Sequence, residues 1–107
     1  MMTLETVCVE VRGVRPDELT RWIDEAWVRP EGTPETWSFS DIDVARVRLI
    51  VELRDDLRVN MEAMPVVLSL VDQLYEERRR LRRIRDVLDR SASPQARAEI
   101  LRLLAAR

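Results

Sequence analysis

Apolar positions recur every three to four residues along most of the chain, which is the spacing of amphipathic helices. Leu19, Trp22, Ile23 and Ala26 follow it after Pro16, which suits a first helical position, while Asp17 and Glu18 suit a helix's positive end. The spacing predicts a helix from about Pro16 to Ala26. Ser40 and Asp43 form an aspartate variant of a capping box. Ile42, Val44, Ala45, Val47, Leu49, Ile50, Leu53 and Leu57 then supply a broad apolar stripe through about Arg58. Asn60 caps a long helix, in which Pro65 predicts a kink or a late start. From Val67 a heptad emerges: Val67, Leu74, Leu81 and Leu88 lie seven apart, Leu70 and Ile84 fill intervening positions, and Glu77 interrupts the seam. That pattern suffices for a short coiled coil and for self-association. The stretch 91–94 breaks the helix, and Ser93 with Pro94 opens a last short helix carrying Ile100, Leu101, Leu103 and Leu104.

Two segments depart from helical spacing. Val7, Val9 and Val11 alternate with Cys8 and Glu10, which reads as a strand by period and by β-branched content. Gly13 ends that element whichever it is. Further on, short apolar segments around Val28 and around Trp37 to Phe39 flank a turn holding Pro30, Gly32 and Pro34. A β-hairpin, or wing, is expected there, with Trp37 and Phe39 facing inward. Trp22, Trp27, Trp37 and Phe39 read as core and wing packing, and Cys8 as a small buried apolar residue.

Composition narrows the function classes. With 107 residues, 46% of them apolar, the chain has room for one compact domain and one extended helix. No apolar run reaches membrane-spanning length and no secretory leader is evident, so a soluble cytoplasmic protein is expected. Cys8 is the single cysteine and there is no histidine, which removes the commonest general base and the commonest metal ligand. Gly13 and Gly32 are the only glycines, so a phosphate-cradling loop is not expected. An enzyme, a metal and a cofactor are therefore not expected.

Charge is divided along the chain. Residues 1–77 carry 8 arginines against 17 acids, a net of −9, whereas residues 78–107 carry 10 arginines against 3 acids, a net of +7. The acidic part would repel a nucleic-acid backbone, and the predicted helix after Pro16 offers Arg21 against Asp17, Glu18, Asp24 and Glu25. These acids read either as helix-start charge and solvated surface or as partner contact. The run Arg78 to Arg85 reads either as the solvated flank of a coiled coil, paired with Glu76, Glu77, Asp86 and Asp89, or as a patch for nucleic acid or an acidic partner.

The order of elements, a short one, a glycine, a helix, a wing, a helix and a long helix, is the plan of a winged helix-turn-helix domain with a dimerising helix. Specific residues carry a closer match: Gly13-Val14, Leu19, Val28 with Pro30, Trp37 with Phe39, Leu53-Arg54 followed by Asp56-Leu57, the Asn60 cap, and Leu68, Leu70 and Asp72. Over about residues 4 to 88 the chain resembles the CbpM family of chaperone modulatory proteins, relatives of the MerR-type regulators. Met61 and Ala63 depart from that pattern, where family members often have an aromatic residue and a glycine.

The resemblance implies a mainly α, MerR-like winged helix-turn-helix over residues 1–58 with a small β-hairpin wing. It implies a helix for the first element, and a long helix of coiled-coil character plus a C-terminal helix over 59–107. It also implies a homodimer that binds the J-domain of a DnaJ/CbpA-type co-chaperone and blocks its stimulation of a DnaK-type chaperone, and that can restrain its DNA binding. The residues expected to meet the partner are Asp17, Glu18, Arg21, Asp24, Glu25, Asp41 and Asp43, an acidic set suited to a basic J-domain helix. Val67, Leu70, Leu74, Leu81, Ile84 and Leu88 are expected to make the dimer. The alternative is a MerR-type dimeric transcriptional regulator; direct DNA binding is disfavoured by the acidic charge.

Overall fold

The structure, a computed structural model, describes residues 1–91 and 93–106. Its helices are α1 (Leu4–Glu10), α2 (Pro16–Asp24), α3 (Asp41–Asp55), α4 (Met64–Ser91) and α5 (Pro94–Ala105). Among the described residues there are no strands, only two isolated antiparallel bridges, Met2 with Phe39 and Glu31 with Ser38.

The first 68 residues form one compact unit with a single apolar core. Thr3 caps α1 by accepting from the Thr6 N–H at 3.2 Å. Val7 and Val11, four residues apart, are both buried, while Val9 is 82% exposed. A helix satisfies that pairing and a strand does not, so the alternating pattern is overruled by packing. Gly13 then turns the chain with φ at +93°, where an added Cβ would stand 3.3 Å from Val51 Cγ1. Only glycine combines that backbone with so close an approach.

α2 begins at Pro16, as expected, and ends two residues sooner than the spacing predicts. The Trp27 N–H bonds the Trp22 carbonyl and the Ala26 N–H bonds the Ile23 carbonyl, each at 2.9 Å, with Ala26 left-handed at φ +62°. This is a Schellman stop with alanine where glycine is usual. Leu19 and Trp22 are buried from α2, and Val44, Val47, Ile50 and Leu53 from α3, three residues apart along the helix. Ile42 is out of phase with them and Leu57 lies beyond the helix end, so both are exposed. The Ser40 and Asp43 capping box forms as the sequence predicts, with Ser40 N–H donating to Asp43 Oδ2 at 2.8 Å and Asp43 N–H to Ser40 Oγ at 3.2 Å.

Between α2 and α3 the segment expected as a β-hairpin returns on itself through one residue pair. Glu31 and Ser38 exchange both backbone bonds, at 3.1 and 2.9 Å, around a turn in which the Thr36 N–H meets the Thr33 carbonyl. The next bonding pair in that register is Arg29 with Ser40, and the Ser40 N–H is already held by Asp43. The cap of α3 thus stops the ladder from growing. Trp27, Val28 and Phe39 are buried and Trp37 is half-buried against the core. Cys8 is half-buried, and burial, then Glu5, push its thiol above the usual range.

Asn60 caps a turn, its Oδ1 accepting from the Ala63 N–H at 2.8 Å, and α4 starts late, at Met64, with Pro65 in its first turn. Met64 and Leu68 close the core. The second compact unit runs from Ser69 onward. Ser93 caps α5 through the Ala96 N–H at 3.2 Å, and Arg97 of α5 meets Asp89 of α4 at 3.4 Å. Ala92, inside the expected break, lies outside the described residues.

Candidate docking surfaces

α1 and α2 pack against each other across the turn at Gly13, and α2 presents its polar face outward. Asp17, Arg21 and Asp24 fall at i, i+4 and i+7, so they share one face, and Glu25 borders it. All four are exposed. Asp17 sits 3.3 Å from Arg15. Among the described residues, Arg21, Asp24, Glu25 and Asp41 enter no side-chain hydrogen bond or ion pair, so their charge is available to a partner.

Glu18 and Asp43 are used differently from the other five. Glu18 is half-buried: its Oε1 accepts the Arg15 N–H at 3.1 Å and its Oε2 accepts from Arg54 Nη1 at 2.7 Å. Asp43 is half-buried in its capping box, on a different helix from the α2 acids. The structure therefore gathers Asp17, Arg21, Asp24 and Glu25 into one surface and holds Glu18 and Asp43 inside local structure.

Arg54, which carries part of the family resemblance, is not among the residues expected to dock a partner or make the dimer. It bonds the Glu18 and Asp55 carboxylates and the Gly13 carbonyl, and its guanidinium lies 5.5 Å from the centre of the Trp22 ring. The hydrogen bond to Asp55 raises its affinity for the proton and holds the Asp55 carboxyl below the usual aspartate range. A signal was present: Arg54 follows Val47 and Ile50 at helical spacing, so it falls on the buried face of α3, where an arginine needs a partner.

In the second unit, α4 exposes Leu70, Leu74, Leu81 and Ile84, at 58, 50, 48 and 38%, with Leu88 half-buried beside them. Val67 instead packs half-buried against the core of the first unit. Ile100, Leu103 and Leu104 of α5 are exposed as well. Among the described residues, no group of three or more cysteines, aspartates or glutamates could hold a metal ion. None of the described helices is long and apolar enough to cross a membrane.

Over 70 residues the chain is 26% identical to the chaperone modulatory proteins CbpM of two Coxiella burnetii strains, Dugway 5J108-111 and RSA 331 / Henzerling II. The match covers 64% of this chain and 66% of each relative. No solved structure matches. Residues 2–86, which hold α1, α2, α3 and most of α4, match the MerR HTH family regulatory proteins, and the chain belongs to that family.

Proposed function

We propose that the protein is a chaperone modulator that docks on the J-domain of a DnaJ/CbpA-type co-chaperone and stops it from stimulating a DnaK-type chaperone. The observation that carries this reading is the sign of charge on α2. A DNA-reading helix needs cations facing the phosphates, yet this one exposes Asp17, Asp24 and Glu25 around a single Arg21. Such a face suits a basic protein helix and speeds encounter with it. The relatives' name, chaperone modulatory protein, supports the same reading.

In this reading the protein is a cytoplasmic homodimer without catalysis or cofactor. Its dimer contact is the α4 seam of Leu70, Leu74, Leu81, Ile84 and Leu88, Val67 being held against the core of the first unit. Asp17, Arg21, Asp24 and Glu25 meet the J-domain, Asp41 at the start of α3 extends the acidic field, and Glu18 and Asp43 hold the local structure beneath it. The loop closed by Glu31 and Ser38 takes the place of the wing. The alternative, a dimeric transcriptional regulator on operator DNA, is favoured by the family and opposed by α2.

The test is a calorimetric titration against a DnaJ-type co-chaperone from the same source, followed by the stimulated ATPase rate of the DnaK-type chaperone. Saturable binding with loss of stimulation is the expected result. Absence of binding at micromolar concentrations, with both proteins folded, sinks the reading, and salt-sensitive binding to operator duplex in its place would establish the alternative.

A further inference from the structure

We propose that one face of α4, formed by Tyr75, Arg78, Arg82 and Arg85, docks an acidic helical segment of a partner protein. Six arginines occupy residues 78–85, and the structure sorts them into two sets. Arg79 and Arg83 meet Glu76 at 2.5 and 3.7 Å, and Arg80 meets Glu77 at 3.1 Å. Among the described residues, Arg78, Arg82 and Arg85 make no ion pair and no side-chain hydrogen bond. They stand at i, i+4 and i+7, hence on one face, and all are exposed. Tyr75, one turn earlier and 49% exposed, extends that face.

Guanidinium groups stay charged at any physiological pH. Three of them side by side repel one another, and an incoming anion relieves that repulsion. At 1.5 Å per residue the stripe is roughly 10 Å long. Carboxylates at i, i+4 and i+7 on a second helix match that length and can each take a bidentate guanidinium contact. Tyr75 and the arginine stems add apolar surface.

A nucleic-acid backbone fits less well. Affinity for a duplex grows with the number of phosphates neutralised, and three contacts are few. A second copy offers its α2 face, but Arg21 stands among those acids. The stripe flanks the Leu74, Leu81 and Leu88 seam, with Arg78 and Arg85 bordering it and Tyr75 and Arg82 one step further out. It is also independent of whatever partner α2 takes.

The probe is a fluorescent synthetic helical peptide of roughly 20 residues, long enough to hold a helix, with glutamates at i, i+4 and i+7, titrated into the full chain at low salt and read by anisotropy. Two triple variants remove the same charge: R78Q/R82Q/R85Q from the unpaired set and R79Q/R80Q/R83Q from the paired set, each checked for helix content by circular dichroism. The expected result is saturable, salt-sensitive binding that weakens about tenfold or more in the first variant and less than about twofold in the second. Equal weakening in both overturns the proposal, because net charge alone would then explain the binding. Tighter binding of an arbitrary duplex than of the peptide also overturns it, in favour of a nucleic-acid surface, as does absence of peptide binding to the unmodified chain.

Discussion

Arg54 Nη1 on α3 lies 2.7 Å from Glu18 Oε2 on α2, while the other oxygen of Glu18 accepts the Arg15 N–H at the start of α2. One carboxylate thus closes the first turn of α2 and ties that helix to α3. Both side chains are largely withdrawn from solvent, at 22 and 28% exposure, so water screens the pair only in part. Loss of a charged, half-buried hydrogen-bonding partner typically costs about 1.5–3 kcal/mol. Arg54→Ala is expected to fall in that range and Glu18→Gln to cost about 1 kcal/mol. A double-mutant cycle by urea denaturation should return a coupling of about 1 kcal/mol. A coupling near zero would mean that Arg54 acts through Trp22, Asp55 and the Gly13 carbonyl and not through Glu18.

That pair also marks the boundary of what the sequence discloses. Caps and starts were legible, because Pro16, Ser40 with Asp43, and Ser93 with Pro94 act within a few residues of themselves. The buried face of α3 was legible from its period. The first element was legible only through the family resemblance, since valines at 7, 9 and 11 fit a strand by alternation, whereas the core holds Val7 and Val11 together and leaves Val9 exposed. Glu18 looked like surface charge because its partner lies 36 residues away on another helix. Such tertiary pairings leave no local pattern. The hairpin was overextended for a related reason: the Ser40 N–H belongs to a cap and cannot also serve a ladder.

Asp55 gives a prediction in pH. Its folded-state carboxyl is held below the ordinary value of 3.8, first by the hydrogen bond from Arg54. A group with a depressed folded value contributes stability above its unfolded value and loses it as pH falls through the folded one. Acid titration of unfolding should therefore show a loss of stability below about pH 4 that is shallower in Asp55→Asn. Parallel acid limbs for the two proteins would refute a contribution from this carboxylate.

Ala26 offers a gain in stability. It sits at φ +62° in the stop of α2, a conformation that costs an L-residue about 1–2 kcal/mol. Glycine adopts it without that cost, offset in part by the greater freedom of glycine in the unfolded chain. Ala26→Gly should stabilise the protein by about 0.5–1 kcal/mol, read as a raised urea midpoint at constant slope. A lowered midpoint would show that the Ala26 side chain makes contacts worth more than its strain.

The division of labour among the α2 acids separates docking from folding. Asp24→Arg with Glu25→Arg reverses two exposed charges that have no internal partner, so the far-ultraviolet spectrum and the unfolding midpoint should hardly change. In the proposed complex these reversals should weaken J-domain binding by about tenfold or more, with a slower on-rate and a reduced salt dependence. Glu18→Arg should do the opposite, opposing Arg54 and lowering stability before any effect on docking is read. Unchanged affinity in the folded Asp24 and Glu25 variant would place the docking face elsewhere.

The seam on α4 can be tested by one substitution that breaks it and one that mends it. Leu81 and Ile84 leave apolar surface in solvent, and burying a leucine contributes about 1.5–3 kcal/mol. Glu77 sits in line with Leu70 and Ile84 at heptad spacing and bonds Arg80 of its own helix, so it dilutes the seam. If α4 makes the dimer, Leu81→Glu should raise the dissociation constant by roughly tenfold to a hundredfold. Glu77→Leu should lower it, because a charge facing a partner's apolar side chains is removed. Sedimentation velocity over a range of concentrations reads both. A dimer indifferent to both changes would move the interface to another exposed apolar face, such as that of Ile100, Leu103 and Leu104 on α5.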